Sequence, residues 1–344
     1  MGTLNPKRLD SYDYALPKEQ IALYPLPNKQ EAKLLVYEKS SEKIIHSSFR
    51  HFVSWIPKDT LILCNDTRVL KARFYAQKPQ TQIQREVLYH EHLDDVYFLA
   101  QIRKKVSAGD SFCLPYGYQL KIVELFDSGL RKMCILDSRG NQIQQNTFLE
   151  LLEKIGEMPI PPYLKRKSEE IDSNEYQSVF AKNIGAVAAP TASLHFSQED
   201  FSELQQCFEI AFVTLHIGAG TFMNVESEYI TEHIMHKERF FISKQTLQKI
   251  NDYKHILPIG TTAMRVLEEW ARSQKTQGQT QLFLNPQNPP LKTQMLLTNF
   301  HLPKSSLFML VSALVGLEQI HRIYAEAIQY NYRFYSYGDG MLIL

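Results

Sequence analysis

The hydrophobic pattern changes texture twice along the chain. Leu34–Glu38 (LLVYE) and Ile44–His46 are short apolar runs around a polar turn at Lys39–Lys43, a spacing that predicts a strand hairpin. Thr60–Cys64 (TLILC) is continuously apolar and stops at Asn65-Asp66-Thr67-Arg68, which predicts a buried strand with a polar loop at its carboxyl end. From about Phe74 to Asp137 the runs shorten and alternate, at Arg85–His90, Val96–Arg103, Asp110–Tyr116, Tyr118–Phe126 and Leu130–Asp137. Five such strands, separated by turn signals, predict a small antiparallel barrel. Thr147-x-x-Glu150 predicts a capped helix through Lys154 with Gly156 as its stop, and Pro159, Pro161 and Pro162 predict a stiff extended segment. Beyond them strands and helices alternate. Strands are predicted at Ile210–Leu215, Ile256–Ile259 and Met295–Thr298, and helices at Ser243–Tyr253, Thr262–Ser273, Ser305–Val315 and Leu317–Tyr330. The fold class is α/β, with a discontinuous main domain at 1–73 and 138–344 and an inserted β-barrel at 74–137.

The 344 residues suit about two domains of ~150 residues. At 44% hydrophobic and 22% charged the composition is that of a globular protein, which excludes disordered and collagen-like chains. The net charge of +1 excludes a uniformly cationic nucleic-acid coat. Neutrality holds only on average: residues 1–78 carry +5, 79–155 carry −1, 156–225 carry −5 and 226–344 carry +2. Cys64, Cys113, Cys134 and Cys207 form no CxxC pair, and three lie in apolar runs, so buried reduced thiols are expected. The longest apolar stretch, Leu307–Gly316, is about half a membrane span, and the N-terminus carries no signal-peptide core. A soluble, cytoplasmic monomer without membrane contact is the expectation.

The pattern most suggestive of chemistry is that apolar strands repeatedly end in short loops rich in Gly, Thr, Asn and His. There are six: 65–68, 190–195, 216–221, 260–262, 298–301 and 338–340. Gly in a turn and Thr or Asn as a cap account for any one of them. Six at strand ends point to one clustered polar site. Gly218-Ala219-Gly220 lacks the third Gly of a dinucleotide fingerprint, but lets backbone N–H groups approach a ligand oxygen. Gly260-Thr261-Thr262 offers unpaired N–H groups at a helix start. His233 and His236 would share a face if EHIMHKE were helical, but no third ligand accompanies them and no metal site is assigned. Basic residues cluster at Arg68, Lys71, Arg73 and Lys78, at Arg103–Lys105, and at Lys165–Lys167, close to Tyr75 and Tyr163. Such clusters either face solvent or track an RNA backbone while aromatics stack bases.

Seven segments taken together resemble a known family. NDTRVLKAR (65–73), IGEMPIPPYLKR (155–166), GAVAAPTASLHF (185–196), VTLHIGAGTF (213–222), EHIMH (232–236), LLTNFHLPKSS (296–306) and YSYGDGMLI (335–343) are similar to the S-adenosylmethionine:tRNA ribosyltransferase-isomerases of queuosine biosynthesis, in the same order, from about Tyr12 to Leu344. The resemblance implies an α/β domain interrupted by a small β-barrel. It also implies transfer of the ribosyl portion of S-adenosylmethionine to 7-aminomethyl-7-deazaguanine in the wobble position of a tRNA, with rearrangement to epoxyqueuosine. S-adenosylmethionine is then a consumed substrate, no separate cofactor is needed, and tRNA is the macromolecular partner.

That chemistry needs a base near the acidified hydrogens beside the sulfonium, a donor for departing adenine, and groups that hold a carboxylate. Carried onto this sequence, the expected catalytic residues are His216, His301, His195 and Asp66. Asp339 would face the sulfonium or ribose, and Arg68 and Arg265 a carboxylate or phosphate. Gly218, Gly220, Thr221, Thr261 and Thr262 would shape the nucleoside pocket, together with Asn65, Thr191 and Asn299. Lys71, Arg73, Arg103, Lys104, Lys105, Lys165 and Arg166 are the expected tRNA contacts. Ser193, Ala263, the 285–290 loop and Gln294 depart from the family pattern. Two other readings fit the same residues, a catalytically silent tRNA-binding relative and an enzyme acting on a free nucleobase.

Overall fold

The apolar run at 60–65 is buried along its whole length, and the main sheet is built around it. The computed structural model describes residues 4–79, 81, 83–218, 220 and 225–344. Its strands are β1 (Lys33–Glu38), β2 (Lys43–Ser48), β3 (Thr60–Asn65), β4 (Thr67–Val69), β5 (Arg73–Gln77), β6 (Gln84–His92), β7 (Phe98–Ile102), β8 (Ser111–Cys113), β9 (Gln119–Leu125), β10 (Arg131–Leu136), β11 (Asn183–Ala186), β12 (Glu209–His216), β13 (Glu238–Ile242), β14 (His255–Ile259), β15 (Gln277–Thr280), β16 (Leu296–Asn299) and β17 (Gly340–Ile343). The helices are α1 (Phe52–Trp55), α2 (Gln145–Ile155), α3 (Glu170–Glu175), α4 (Gln198–Cys207), α5 (Lys244–Asp252), α6 (Thr261–Ser273), α7 (Ser306–Val315) and α8 (Leu317–Gln329).

One compact unit contains residues 1–68, 177–183 and 189–344. Among the described residues it holds a nine-stranded mixed sheet in the order β15-β13-β12-β3-β14-β16-β17-β1-β2. The β12, β3, β14 and β16 strands run parallel, and β17 is antiparallel to β16. Alternate residues of β3 serve opposite faces. Ile62 and Cys64 join a core with Leu257, Leu297, Phe52 and Leu204, whereas Leu61 and Leu63 join one with Val213, Ile250, Val266 and Trp270. Covering on both sides is why TLILC shows no polar alternation.

The second unit contains residues 69–176 and 184–188, so it is larger than the 74–137 insert expected. Its barrel is closed by six strands in the order β10-β7-β6-β5-β8-β9. The strand absent from the expectation is β5, whose five residues bury only Phe74 and Ala76 but pair with both β6 and β8. The segment after the barrel stays with it because α2 lays Phe148 on the Phe98 ring, with centroids 4.5 Å apart, and edge-on to Phe74. This docking also moves the helix start. The capping box at Thr147 and Glu150 is not used, since α2 begins at Gln145, whose N–H donates to the Asp95 carbonyl at 2.7 Å.

Two further expectations are corrected. The 233–237 segment is irregular after a single 3₁₀ turn at Ile230–Glu232, so His233 and His236 share no helix face. All four cysteines are free, but only Cys64 and Cys134 are buried; Cys113 points outward on β8 and Cys207 ends α4 in solvent. The four-residue signal Ser197-x-x-Asp200, passed over in the sequence, is a reciprocal capping box that opens α4.

Truncating Leu63, which is fully buried, to Ala is expected to cost about 2–5 kcal/mol in urea unfolding, while Lys43→Ala, at the exposed start of β2, stays within about 0.5 kcal/mol. Equal midpoints for the two variants would contradict the two-sided core.

Candidate active site

Because β12, β3, β14 and β16 are parallel, the loops that leave them emerge on one edge of the sheet. β17 and β1 begin at that same edge, since Gly340 pairs with both Asn299 and Leu34. Four of the six polar loops therefore meet as carboxyl-end loops, and 338–340 joins them as the entry to β17.

At the centre of the edge Asn65 makes four hydrogen bonds. Its Nδ2 donates to the Leu215 carbonyl and to Thr262 Oγ1, both at 3.1 Å, and its Oδ1 accepts from the N–H groups of Leu215 and Thr67. Next to it Asp66 is buried, and its carboxylate accepts from Thr214 Oγ1 at 2.6 Å and Asn183 Nδ2 at 2.9 Å. Thr67 Oγ1 lies 2.9 Å from His216 Nδ1. The imidazole of His216 is half-buried. Burial and the nearby Arg239 lower its pKa, while Asp66 opposes them, so the ring is neutral at physiological pH.

On the β13 side Glu238 links two expected ligand groups. Its carboxylate accepts from the Gly218 N–H at 3.2 Å and forms a buried ion pair with Arg265 Nη1. Nε and Nη2 of Arg265, the other edge of the guanidinium, are enclosed and have no hydrogen-bond partner among the described residues. That edge has the fork shape that binds a carboxylate through two N–H groups.

Toward β16, His301 is buried with Nε2 2.8 Å from Thr298 Oγ1, and burial pushes its pKa down to about 3. Asn299 Nδ2 donates to the Tyr335 carbonyl at 3.0 Å, whereas its enclosed Oδ1 is unpartnered among the described residues. His195 stacks on Phe49 with centroids 4.0 Å apart; its Nε2 is likewise unpartnered, and burial, then Lys29 and Arg333, bring its pKa to about 3. Gly340 makes room for that stack, since a Cβ there would sit 2.6 Å from the Phe49 ring. Asp339 is committed to the fold: its oxygens accept from the backbone N–H groups of Lys33 and Arg333 at 2.9 and 2.7 Å.

The remaining expectations scatter. Thr261 is buried at the start of α6, Thr191 is half-buried at the head of a 3₁₀ turn, Arg68 is exposed on β4, and Gly220 lies against the His236 ring. Thr221 lies outside the described residues. The seven expected tRNA contacts belong to the second unit. Lys104, Lys105 and Lys165 are exposed there. Lys71 pairs with Glu153, and Arg73 and Arg103 flank Glu86. Arg166 grips the fully buried Asp172 through two bonds of 2.6 and 2.7 Å, so it acts as a structural tie. Sequence reasoning missed Thr67, Asn183, Thr214 and Glu238, all of which act on a neighbour's polar group. The one available signal was Glu238, an acidic residue opening the alternating run ERFFI.

Comparison with known proteins places the chain in a family. A model of the family described as queuosine biosynthesis protein matches residues 9–343. The chain is 48% identical over 341 residues to the S-adenosylmethionine:tRNA ribosyltransferase-isomerase of Helicobacter pylori strain HPAG1, covering 98% of this chain and 99% of that one. The chain belongs to the S-adenosylmethionine:tRNA ribosyltransferase-isomerase family. It is 46% identical to the enzyme of that name from Helicobacter hepaticus, over 98% of this chain and 96% of the other. The crystal structure of the S-adenosylmethionine tRNA ribosyltransferase of Thermotoga maritima is 27% identical, with a TM-score of 0.54, and covers 97% of this chain and 100% of that one. The protein is thus an enzyme, a transferase of queuosine biosynthesis, with the mixed α/β fold and separate barrel expected.

The segment expected to depart from the family pattern lies within 285–294. It is held by Glu268 of α6, which is fully buried and accepts from the N–H groups of Leu291, Lys292 and Thr293 at 2.6–2.9 Å. Burial pushes the pKa of Glu268 up, but these bonds hold it below the ordinary carboxylate value. The 291–293 part of this loop is thereby firmly anchored.

His195 and His301 carry the pH consequence. Each takes a proton near pH 6.5 when unfolded and only near pH 3 when folded, so stability is lost as pH falls through that window. Each histidine contributes a slope of up to ~1.4 kcal/mol per pH unit. Urea unfolding between pH 6.5 and 5.0 is expected to show this loss, and His301→Gln to reduce the slope; an unchanged slope in the variant would place His301 in contact with water.

Proposed function

We propose that this enzyme transfers and isomerises the ribosyl moiety of S-adenosylmethionine onto 7-aminomethyl-7-deazaguanine at the wobble position of tRNA, forming epoxyqueuosine and releasing adenine and methionine. The observation that carries the reading is His216, a neutral, half-buried imidazole fixed at the carboxyl end of β12 by Thr67 beside the Asp66 carboxylate. A carbon–hydrogen bond beside the sulfonium is acidified by the positive charge. His216 takes that proton and becomes imidazolium, and the electron pair left on carbon starts the rearrangement. Asp66 offsets the new charge, held in place by Thr214 and Asn183. The unpaired edge of Arg265 binds the methionine carboxylate. Thr261 and Thr262 at the start of α6 line the nucleoside, and His301, bonded to Thr298, serves as a neutral donor near the leaving base.

The donor carries the test. With tRNA bearing the deazaguanine precursor, label in the ribosyl carbons is expected to enter tRNA and label in the methyl group is not. Binding without transfer, or transfer to the free base alone, would overturn the proposal. His216→Ala is expected to slow single-turnover transfer by about 10²–10⁴-fold. Because the folded pKa of His216 lies below the usual 6.5, the wild-type rate stays level from neutral to mildly alkaline pH and falls only on acidification. A variant with the wild-type rate and pH profile would remove His216 from the chemistry.

A further inference from the structure

The barrel unit contains a second polar feature, which takes in two of the expected tRNA contacts, Arg103 and Lys104. A cavity of about 200 Å³ is lined by Tyr75 of β5, Gln84, Arg85 and Glu86 of β6, and Arg103 and Lys104 after β7. Three of these six side chains are cationic. The one lining carboxylate, Glu86, is shared, with Arg73 Nε at 3.7 Å and Arg103 Nε at 3.5 Å. The other nearby acid, Glu157, accepts from Tyr75 at 3.5 Å. Arg85 is left over: its Nε and Nη1 are enclosed with no hydrogen-bond partner among the described residues. Buried guanidinium N–H groups are costly unless paired, so Arg85 lacks an acceptor that its guanidinium calls for. Lys104 adds an independent sign. Its φ is +68°, a left-handed conformation unfavourable for a residue with a side chain, and such outliers concentrate at binding sites.

We propose that this cavity binds one phosphodiester of the tRNA backbone, with Arg85, Arg103 and Lys104 as the phosphate ligands. The inference rests on the tRNA-modifying reading above. Size and charge select the ligand class. The volume is below the roughly 300–1,000 Å³ of sites that enclose whole metabolites, yet ample for a single phosphate group of a longer chain. Arginine and lysine donors to a phosphate give contact that positions RNA and carries no sequence preference.

The test uses the full-length enzyme and direct titration of tRNA at several salt concentrations. Lys104→Gly removes one charge and suits the positive φ, so folding is retained; Arg85→Gln is the second variant, with thermal melting as the check on its fold. Each is expected to weaken binding about fivefold at 0.15 M salt and to lower the slope of log affinity against log salt by about 1. The loss should be equal for tRNA with and without the deazaguanine precursor. Unchanged affinity and slope in both variants would overturn the assignment, as would a loss confined to tRNA carrying the precursor. Inorganic phosphate that saturates the wild-type cavity without weakening tRNA binding would assign it to free anions instead. Wild-type enzyme that binds tRNA through this cavity yet transfers no ribosyl label would sink the proposed reaction and leave the cavity's assignment standing.

Discussion

The site depends on one buried amide. Asn65 joins β3 to the backbone of β12 on one side and to the first turn of α6 on the other, and it also caps its own loop at Thr67. These bonds bring together loops that lie 150 and 197 residues away in sequence. Their strength comes from burial, because a side chain removed from water loses several kilocalories per mole unless its polar atoms are matched. The matching succeeds only if β12, β3 and α6 hold one relative register, so this amide fixes where Asp66 and His216 stand.

Around that anchor the polar groups divide by whether the fold completes them. Asp66, Asp339, Glu268 and Glu238 have acceptor capacity filled by backbone or side-chain donors. They are therefore held rigidly, and a charge developing nearby meets oriented dipoles in place of mobile water. Three groups near that anchor are incomplete: the Nε–Nη2 edge of Arg265 on α6, Asn299 Oδ1 at the end of β16, and Nε2 of His195, which lies beside Gly340. Rigid acids beside unfilled donors and acceptors are what a small polar ligand requires of a receptor.

Patterning revealed the fold where one principle acted alone. TLILC reads as a doubly covered strand because both faces bury aliphatic carbon, and the barrel strands read from their alternation and turns. Misreadings arose where a distant partner decided the outcome. The start of α2 is set by Phe148 in the barrel's aromatic cluster, which overrides the local capping signal. The short β5 gains its stability from two neighbours and shows little of it in its own five residues. Among candidate site residues, residue type identified the loops but not the division of labour. Asp339 and Asp66 are alike in sequence terms, yet one is fastened to two backbone N–H groups and the other to a hydroxyl and an amide near a histidine. Within the basic clusters, a count of charges along the chain does not register that Asp172 has already claimed Arg166.

The position of β17 has a consequence for how the sheet is made. It lies between β16 and β1 and is hydrogen-bonded to both, yet among the described strands it comes last in sequence. While the protein is being synthesised, the β1–β2 hairpin emerges early and has no route into the rest of the sheet until residues 340–343 arrive. An early hairpin with an unpaired edge is an invitation to wrong pairing. The long sequence separation between β1 and β17 also makes their closure a late and slow event. The Gly338-Asp339-Gly340 turn helps at that moment, because Asp339 engages Lys33 at the head of β1 just where the final strand must enter. Asp339 thus fastens the entry of β17 to the head of β1, and this edge of the sheet is complete only when residues 340–343 are in place.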